Sequence, residues 1–420
     1  MPDSYRAPGV YVEEVASGLA PIVGVGTSTA GFIGVINLAL PFRSAAVATE
    51  TKEEALVAAA ATGEEVKAPT RGKAAKPEPV KAEDVMPTPV GEVRLCTNFT
   101  EFKVAFGDFS ENPGHSILSH AVYGFFRNGG TRCYVAWVTD NVGVPEFLER
   151  FEAIDEIAIV AAPGVTDKTA LGEVIGHCWR MGDRFAVIDA EETITLEQLK
   201  PGSDKLPGNS DYAALYHPWI QVFDPVVKSL IYVPPSGHVA GIYARVDDRR
   251  GVHKAPANEP ILGAVGLKQE ISRVKQEPLN DVGVNCIRNL NGNIRVWGAR
   301  TLGAGKDNPD FKYINIRRQF LYLRESIDEG TQWVVFEPNS PELWARIRRN
   351  VGAFLTNEWR KGALLGTTPQ EAFFVKCDAE NNPFDSRALG QVIAEIGVSI
   401  INPAEFVIFR IHQWVKEEKQ

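Results

Sequence analysis

The 420-residue chain has no apolar run approaching the ~20 residues that a helix needs to cross a bilayer. Its first residues, Met1 to Pro8, carry acid and proline where an export signal has an apolar stretch, which points to synthesis and folding in a cytoplasm. Cysteine is scarce and unpaired in pattern. Cys96, Cys133, Cys178, Cys286 and Cys377 are odd in number, far apart and form no C-x-x-C, so they read as buried free thiols in a reducing compartment. Positive charge is also short. With 44 basic against 53 acidic residues the net charge is -9, which argues against the concentrated basic footprint of a nucleic-acid domain.

Catalytic groupings are missing too. Gly298-x-x-x-x-Gly303 is followed by Ala304 instead of lysine, so no phosphate loop forms, and there is no H-E-x-x-H. The seven histidines are scattered. His115 and His120 are five apart and do not share a helix face, and the neighbours His177 and Cys178 point apart. Gly24-x-Gly26 begins like a dinucleotide fingerprint, but Thr29 stands at the third glycine. Gly26-Thr-Ser28-Thr-Ala30 resembles a nucleophile elbow without its last glycine, and a buried glycine-rich strand accounts for both better. Asp247 and Asp248 beside Arg249 and Arg250 read as a salt-bridged polar loop. The expectation is no cofactor and no metal.

What is present is a largely globular composition, 44% hydrophobic and 23% charged, long enough for two or more packed units. Two short apolar segments stand at the ends. Val10, Tyr11, Val12 and Val15 form a β-prone piece bracketed by Pro8 and Gly18. Glu405 to Val415, launched from Asn402-Pro403, alternates with Phe406 and Ile408 on one face and Val407, Phe409 and Ile411 on the other. Both of its faces are apolar, so such a terminal strand needs cover from another molecule.

Between these arms the pattern is α/β. Residues 41–91 are an alanine-, proline- and charge-rich insertion with one marginal helix near Lys52 to Thr62. Helices are predicted at Phe99 to Phe106 behind a Thr97 or Asn98 cap, at His115 to Asn128, at Thr169 to Met181 and, shorter, at Val239 to Val246. They alternate with strands at Tyr134 to Val138, Ile157 to Ala162, Phe185 to Ile188 and Ala213 to Val222. Beyond Leu279, a hairpin turns at Asn291-Gly292, and a helix over Asn315 to Glu329 leads to a strand at Trp333 to Phe336. A helix from the Ser340 cap to Gly362 follows, then strands at Ala372 to Cys377 and Val392 to Ile400. The predicted organisation is an arm at 1–20, an α/β region of 21–40 and 92–278 interrupted by 41–91, a mixed sheet-and-helix core at 279–403, and an arm at 404–420.

The ordered set Pro8-Gly-Val-Tyr-Val-Glu-Glu14, Gly26-Thr-Ser-Thr-Ala-Gly-Phe-Ile-Gly34, Asn128-Gly-Gly-Thr-Arg-Cys-Tyr134, His238-Val-Ala-Gly-Ile-Tyr-Ala-Arg245, Gly251-Val-His-Lys-Ala-Pro-Ala-Asn258, Asn293-Ile-Arg-Val-Trp-Gly-Ala-Arg-Thr301, Tyr313-Ile-Asn-Ile-Arg-Arg318 and Pro403-Ala-Glu-Phe-Val-Ile-Phe-Arg410 resembles the contractile tail sheath proteins of phage tails, R-type pyocins and extracellular contractile injection systems. It covers nearly the whole chain except 41–91.

The resemblance implies hexameric rings stacked helically around an inner tube, with terminal arms adding strands to the sheets of neighbours. It also implies one contraction from a metastable lattice, without nucleotide. The partners it implies are further copies of the chain, the tube, a baseplate and a terminal cap, with no direct nucleic-acid or membrane contact. Assembly would take place in a bacterial cytoplasm, as part of a phage tail or tail-like particle. A C-terminal helix of such proteins faces the tube, and the Ser340 to Gly362 helix is the candidate, through Arg346, Arg349, Arg360 and Lys361. Its five basic and two acidic residues give a net of +3, which suits an acidic tube. The competing expectation is an α/β enzyme with a site assembled from distant residues around Asp247 and His253.

Overall fold

In the computed structural model, which describes residues 21–40, 87–303, 306 and 308–408, the glycine-rich run becomes a central strand, β1 (Ala30–Val35). Its glycines are a packing requirement. A Cβ on Gly31 would stand 2.5 Å from the Phe151 ring and one on Gly34 2.6 Å from Leu118, so helices press on the strand from both faces.

A short edge strand β2 (Arg94–Cys96) follows, then α1 (Phe99–Phe106), capped by Asn98, whose side chain accepts from the Glu101 amide. Next, α2 (Pro113–Arg127) starts on an Asn112 cap with proline at its first turn. Then come β3 (Cys133–Val138), α3 (Gly143–Glu152), β4 (Ile159–Ala161), α4 (Lys168–Met181) and β5 (Phe185–Asp189). Asp167 caps the start of α4, and Gly182 ends it in the left-handed conformation at φ 67°.

The single strand predicted over Ala213 to Val222 is two: β6 (Ala213–His217) and β7 (Ile220–Asp224), separated by Pro218, which has no N–H to continue a ladder. Strand β7 pairs antiparallel with β8 (Ser229–Val233). Helix α5 (Ser236–Arg250) is longer than the predicted Val239 to Val246 and is buried throughout Ser236 to Val246. It absorbs Asp247 to Arg250, which therefore form its last turn and not the polar loop expected there.

After β9 (Glu259–Pro260), β10 (Gly266–Leu267) and α6 (Arg273–Asn280), the predicted hairpin appears as β11 (Val284–Leu290) and β12 (Asn293–Val296). Asn291 and Gly292 turn it with φ 53° and 82°. Helix α7 (Ile314–Thr331) ends in a 3-10 turn at Gln332–Val334, which replaces the strand predicted at Trp333 to Phe336. Helix α8 (Pro341–Arg360) has its Ser340 cap and proline first turn as predicted. Then come α9 (Pro369–Ala372), β13 (Phe373–Lys376), α10 (Phe384–Ala388) and β14 (Glu395–Val398).

Contacts divide the described residues into two units, one of 25–324 with 400–408 and one of 21–24 with 325–399. The larger is a nine-stranded sheet in the order β2-β3-β1-β4-β5-β6-β11-β12-β9. The block from β3 to β11 is parallel, and β2, β12 and β9 are antiparallel borders. Because side chains alternate along a strand, each strand feeds two cores. Phe32, Phe185 and Val187 pack with Phe102, Leu118, Phe125 and Tyr243, while Ile33, Ala186 and Ile188 pack with Phe147, Phe151, Val174 and Cys178. The smaller unit holds α8 with its buried stripe Trp344, Ile347, Val351, Phe354 and Leu355, and the two-stranded sheet β13-β14. All five cysteines are free and buried.

Candidate functional site

The fold of the larger unit is closed by three polar clamps, each joining segments far apart in sequence. In the first, Arg245 donates to the Asn128 carbonyl at 3.0 Å and side chain at 3.2 Å, and to the Pro260 carbonyl at 2.7 Å. Asn128 in turn pairs with both backbone groups of Leu262. In the second, the buried Arg318 forks onto both oxygens of Asp247 at 2.9 and 2.6 Å and donates to the Thr27 carbonyl, while the Thr27 hydroxyl also binds Asp247 at 2.8 Å. Arg318 lies 4.6 Å over the Tyr243 ring, whose hydroxyl meets that of Tyr216 at 2.7 Å. Bidentate, charge-assisted pairs of this kind fix geometry as well as energy.

The third clamp holds the root of the C-terminal segment. Glu405 accepts from Arg300 Nε at 2.8 Å and Nη2 at 2.9 Å, from the Tyr313 hydroxyl at 2.8 Å and from Asn280 Nδ2 at 2.8 Å. Burial alone pushes the Glu405 carboxyl up, but the hydrogen bonds from Arg300, Asn280 and Tyr313 outweigh it and hold the group below its ordinary value. Nearby, Asn315 secures the carbonyl of Ile401 at 3.2 Å. Immediately past this anchor Phe406, Val407 and Ile408 are 72%, 68% and 79% exposed, and 401–408 form no strand within the single chain. The segment thus has a fixed root followed by three consecutive exposed apolar side chains.

Of the other predicted arm residues, Val10, Tyr11, Val12, Val15, Phe409 and Ile411 lie outside the described residues, as does most of 41–91. At the end of that insertion Thr88 is buried, and its carbonyl accepts from Trp137 Nε1 at 3.0 Å.

The four cations proposed to face a tube are not equivalent. Arg349 and Arg360 are exposed on α8. Lys361 pairs with Glu358 at 2.7 Å, and Arg346 pairs with Glu337 at 3.0 Å while lying 4.5 Å over the Trp333 ring. At the alternative site, Asp247 is committed to Arg318 and Thr27, and the His253 carbonyl accepts from Asn315 at 2.8 Å.

Sequence reasoning did not single out Arg300 or Glu405. They are 105 residues apart, beyond the reach of any local pattern. The one available signal was that Arg300, Tyr313 and Glu405 each sit inside a segment that carries the sheath resemblance.

The comparisons agree with this architecture. Residues 140–302 match the phage tail sheath protein central domain and residues 306–413 the phage tail sheath C-terminal domain. The tail sheath protein of Burkholderia phage BcepMu is 27% identical over 233 residues, 53% of this chain and 48% of that protein, so the match spans about half that relative's length. A chain of the PVC sheath complex, an extracellular contractile injection system in its contracted state, is similar over 98% of both chains with 26% identity and a TM-score of 0.73. A chain in the six-fold symmetrised anti-feeding prophage baseplate is similar over 98% of this chain and 99% of that one, with 26% identity and a TM-score of 0.69. This chain belongs to the contractile tail sheath protein family.

Proposed function

We propose that the protein is the structural sheath subunit of a contractile tail or injection machine. It polymerises as stacked hexameric rings around an inner tube and contracts once to drive the tube through a target envelope. The observation that carries the reading is the likeness, over 98% of both chains, to a sheath in the contracted state. The role is structural, and the energy comes from the difference between two lattice packings.

In this reading the arms are the joints. Strand β13 pairs only with β14 among the described residues, so each has an outer edge without a partner strand. Those edges receive Val10 to Val15 of one neighbour and Phe406 to Ile411 of another, by main-chain hydrogen bonds in a fixed register. The Glu405 clamp keeps each C-terminal arm attached while subunits rotate. Arg349 and Arg360, with Arg346 and Lys361 beside them, face an acidic tube, and the baseplate and a terminal cap bound the polymer. Assembly takes place in a bacterial cytoplasm.

The test is Ile408→Asp. Since Ile408 is exposed in the single chain, the variant should melt at the same temperature as the parent and fail to polymerise. Polymers of unchanged length and stability would sink the arm assignment.

A further inference from the structure

The turn between α7 and α8 holds a residue that the monomer does not explain. The Glu337 amide donates to the Val334 carbonyl at 3.1 Å, Val335 has φ -64° and ψ 129°, and Phe336 has φ 68°. These are type II turn angles, and the third position of that turn favours glycine or asparagine because it requires positive φ. The other non-glycine residues at positive φ among the described residues are Lys228, Asn258 and Asn291, so Phe336 is the one aromatic held there. For a bulky side chain this conformation is a genuine outlier. Phe336 is also fully exposed, beside the exposed Val335. Glycine at 336 would relieve the backbone and remove exposed apolar surface. Strain and exposure in one residue therefore point to a contact outside the chain.

The turn is tethered to the basic face of α8. Glu337, next to Phe336, accepts from Arg346 at 3.0 Å, and Arg346 lies 4.5 Å over Trp333, so the knob is held at the Arg346 position, one helical turn before the exposed Arg349. We propose that Phe336 is an apolar anchor that seats in a cleft of the acidic inner tube, next to the charge contact made by Arg349. The proposal rests on the reading of α8 as the tube-facing helix and adds a shape-specific element to it. Charge steers the approach and sets orientation, while a buried aromatic supplies most of the affinity at an anchor point.

The experiment uses the full chain with its inner tube protein. Sheath coverage of tubes, tube-free polymerisation and melting temperature are measured for the parent, Phe336→Gly and the double variant Arg349→Glu/Arg360→Glu. Phe336→Gly should melt at or above the parent temperature, polymerise normally without tube, and bind tube about tenfold or more weakly per subunit, the loss expected from exposing one phenylalanine. Normal coverage by Phe336→Gly with lost coverage by the double variant overturns the anchor and leaves the tube-facing helix standing. Normal coverage by both overturns both. An equal loss of tube-free polymer by Phe336→Gly assigns the contact to a second copy, and a fall in melting temperature assigns Phe336 a role within the fold; either overturns the proposal.

Discussion

Burial of ionisable side chains makes this protein sensitive to acid, and the sign can be worked out group by group. Desolvation lowers His115, His177 and His217 to about 4 and His238 to about 3. A histidine held neutral in the fold contributes stability that is complete above its unfolded value of about 6.5 and is lost as pH falls through the folded value. Glu405, held low by its clamp, acts in the same direction: its contribution is present above the unfolded value and disappears as pH falls through the folded one. Asp189 opposes them. Its burial, only partly offset by hydrogen bonds from Ser236 and Gly164, raises it to about 6, so its ionisation costs stability as pH rises from about 4 to 6. Between pH 6.5 and 4 four histidines outweigh one aspartate, and the Glu405 contribution is lost at the acid end of that range and below. Denaturant unfolding of the unassembled chain should therefore show a steady loss of stability from about pH 6.5 down to 4, and a flat profile would contradict the buried neutral histidines.

Among the elements, the crossing of α2 and α5 is a close backbone-to-backbone joint and a clear case of sequence anticipating structure only in part. A Cβ on Gly241 would lie 2.4 Å from the Phe125 carbonyl oxygen, and one on Gly237 2.4 Å from the Ala121 backbone. Backbone cannot step aside as a side chain can. Gly241→Ala should destabilise the chain by about 1–3 kcal/mol, the usual cost of overpacking, read as a lower denaturation midpoint with unchanged slope. The helix containing Gly241 was visible in sequence, but its length was not, because Ser236 to Val246 are buried all round and show no amphipathic boundary. Helices with caps and one apolar stripe, such as α1 and α8, were legible nearly to the residue. The strand expected at Trp333 to Phe336 failed because aromatic and β-branched residues there serve a 3-10 turn and a strained tip, which tertiary context decides. The clamps joining Asn128 to Arg245, Asp247 to Arg318 and Arg300 to Glu405 could not be read, since each pairs charges or amides across long sequence separations.

For the whole molecule, the sheath account joins three features that have no common purpose in a solitary protein. A C-terminal segment is locked at Glu405 and then exposes Phe406 to Ile408, a two-stranded sheet leaves both outer edges without a partner strand among the described residues, and the chain matches sheath structures over nearly its full length. The proposed strand exchange between copies would give each a role, because an arm bound by main-chain hydrogen bonds at its tip and by a charged clamp at its root would swing without detaching. The central claim is that the native form is a polymer. Negative-stain microscopy of the purified full chain, alone and with its tube protein, tests it most directly. The account predicts six-fold rings, tubes or contracted sheaths, and a uniform field of discrete single-chain particles in both samples would contradict it.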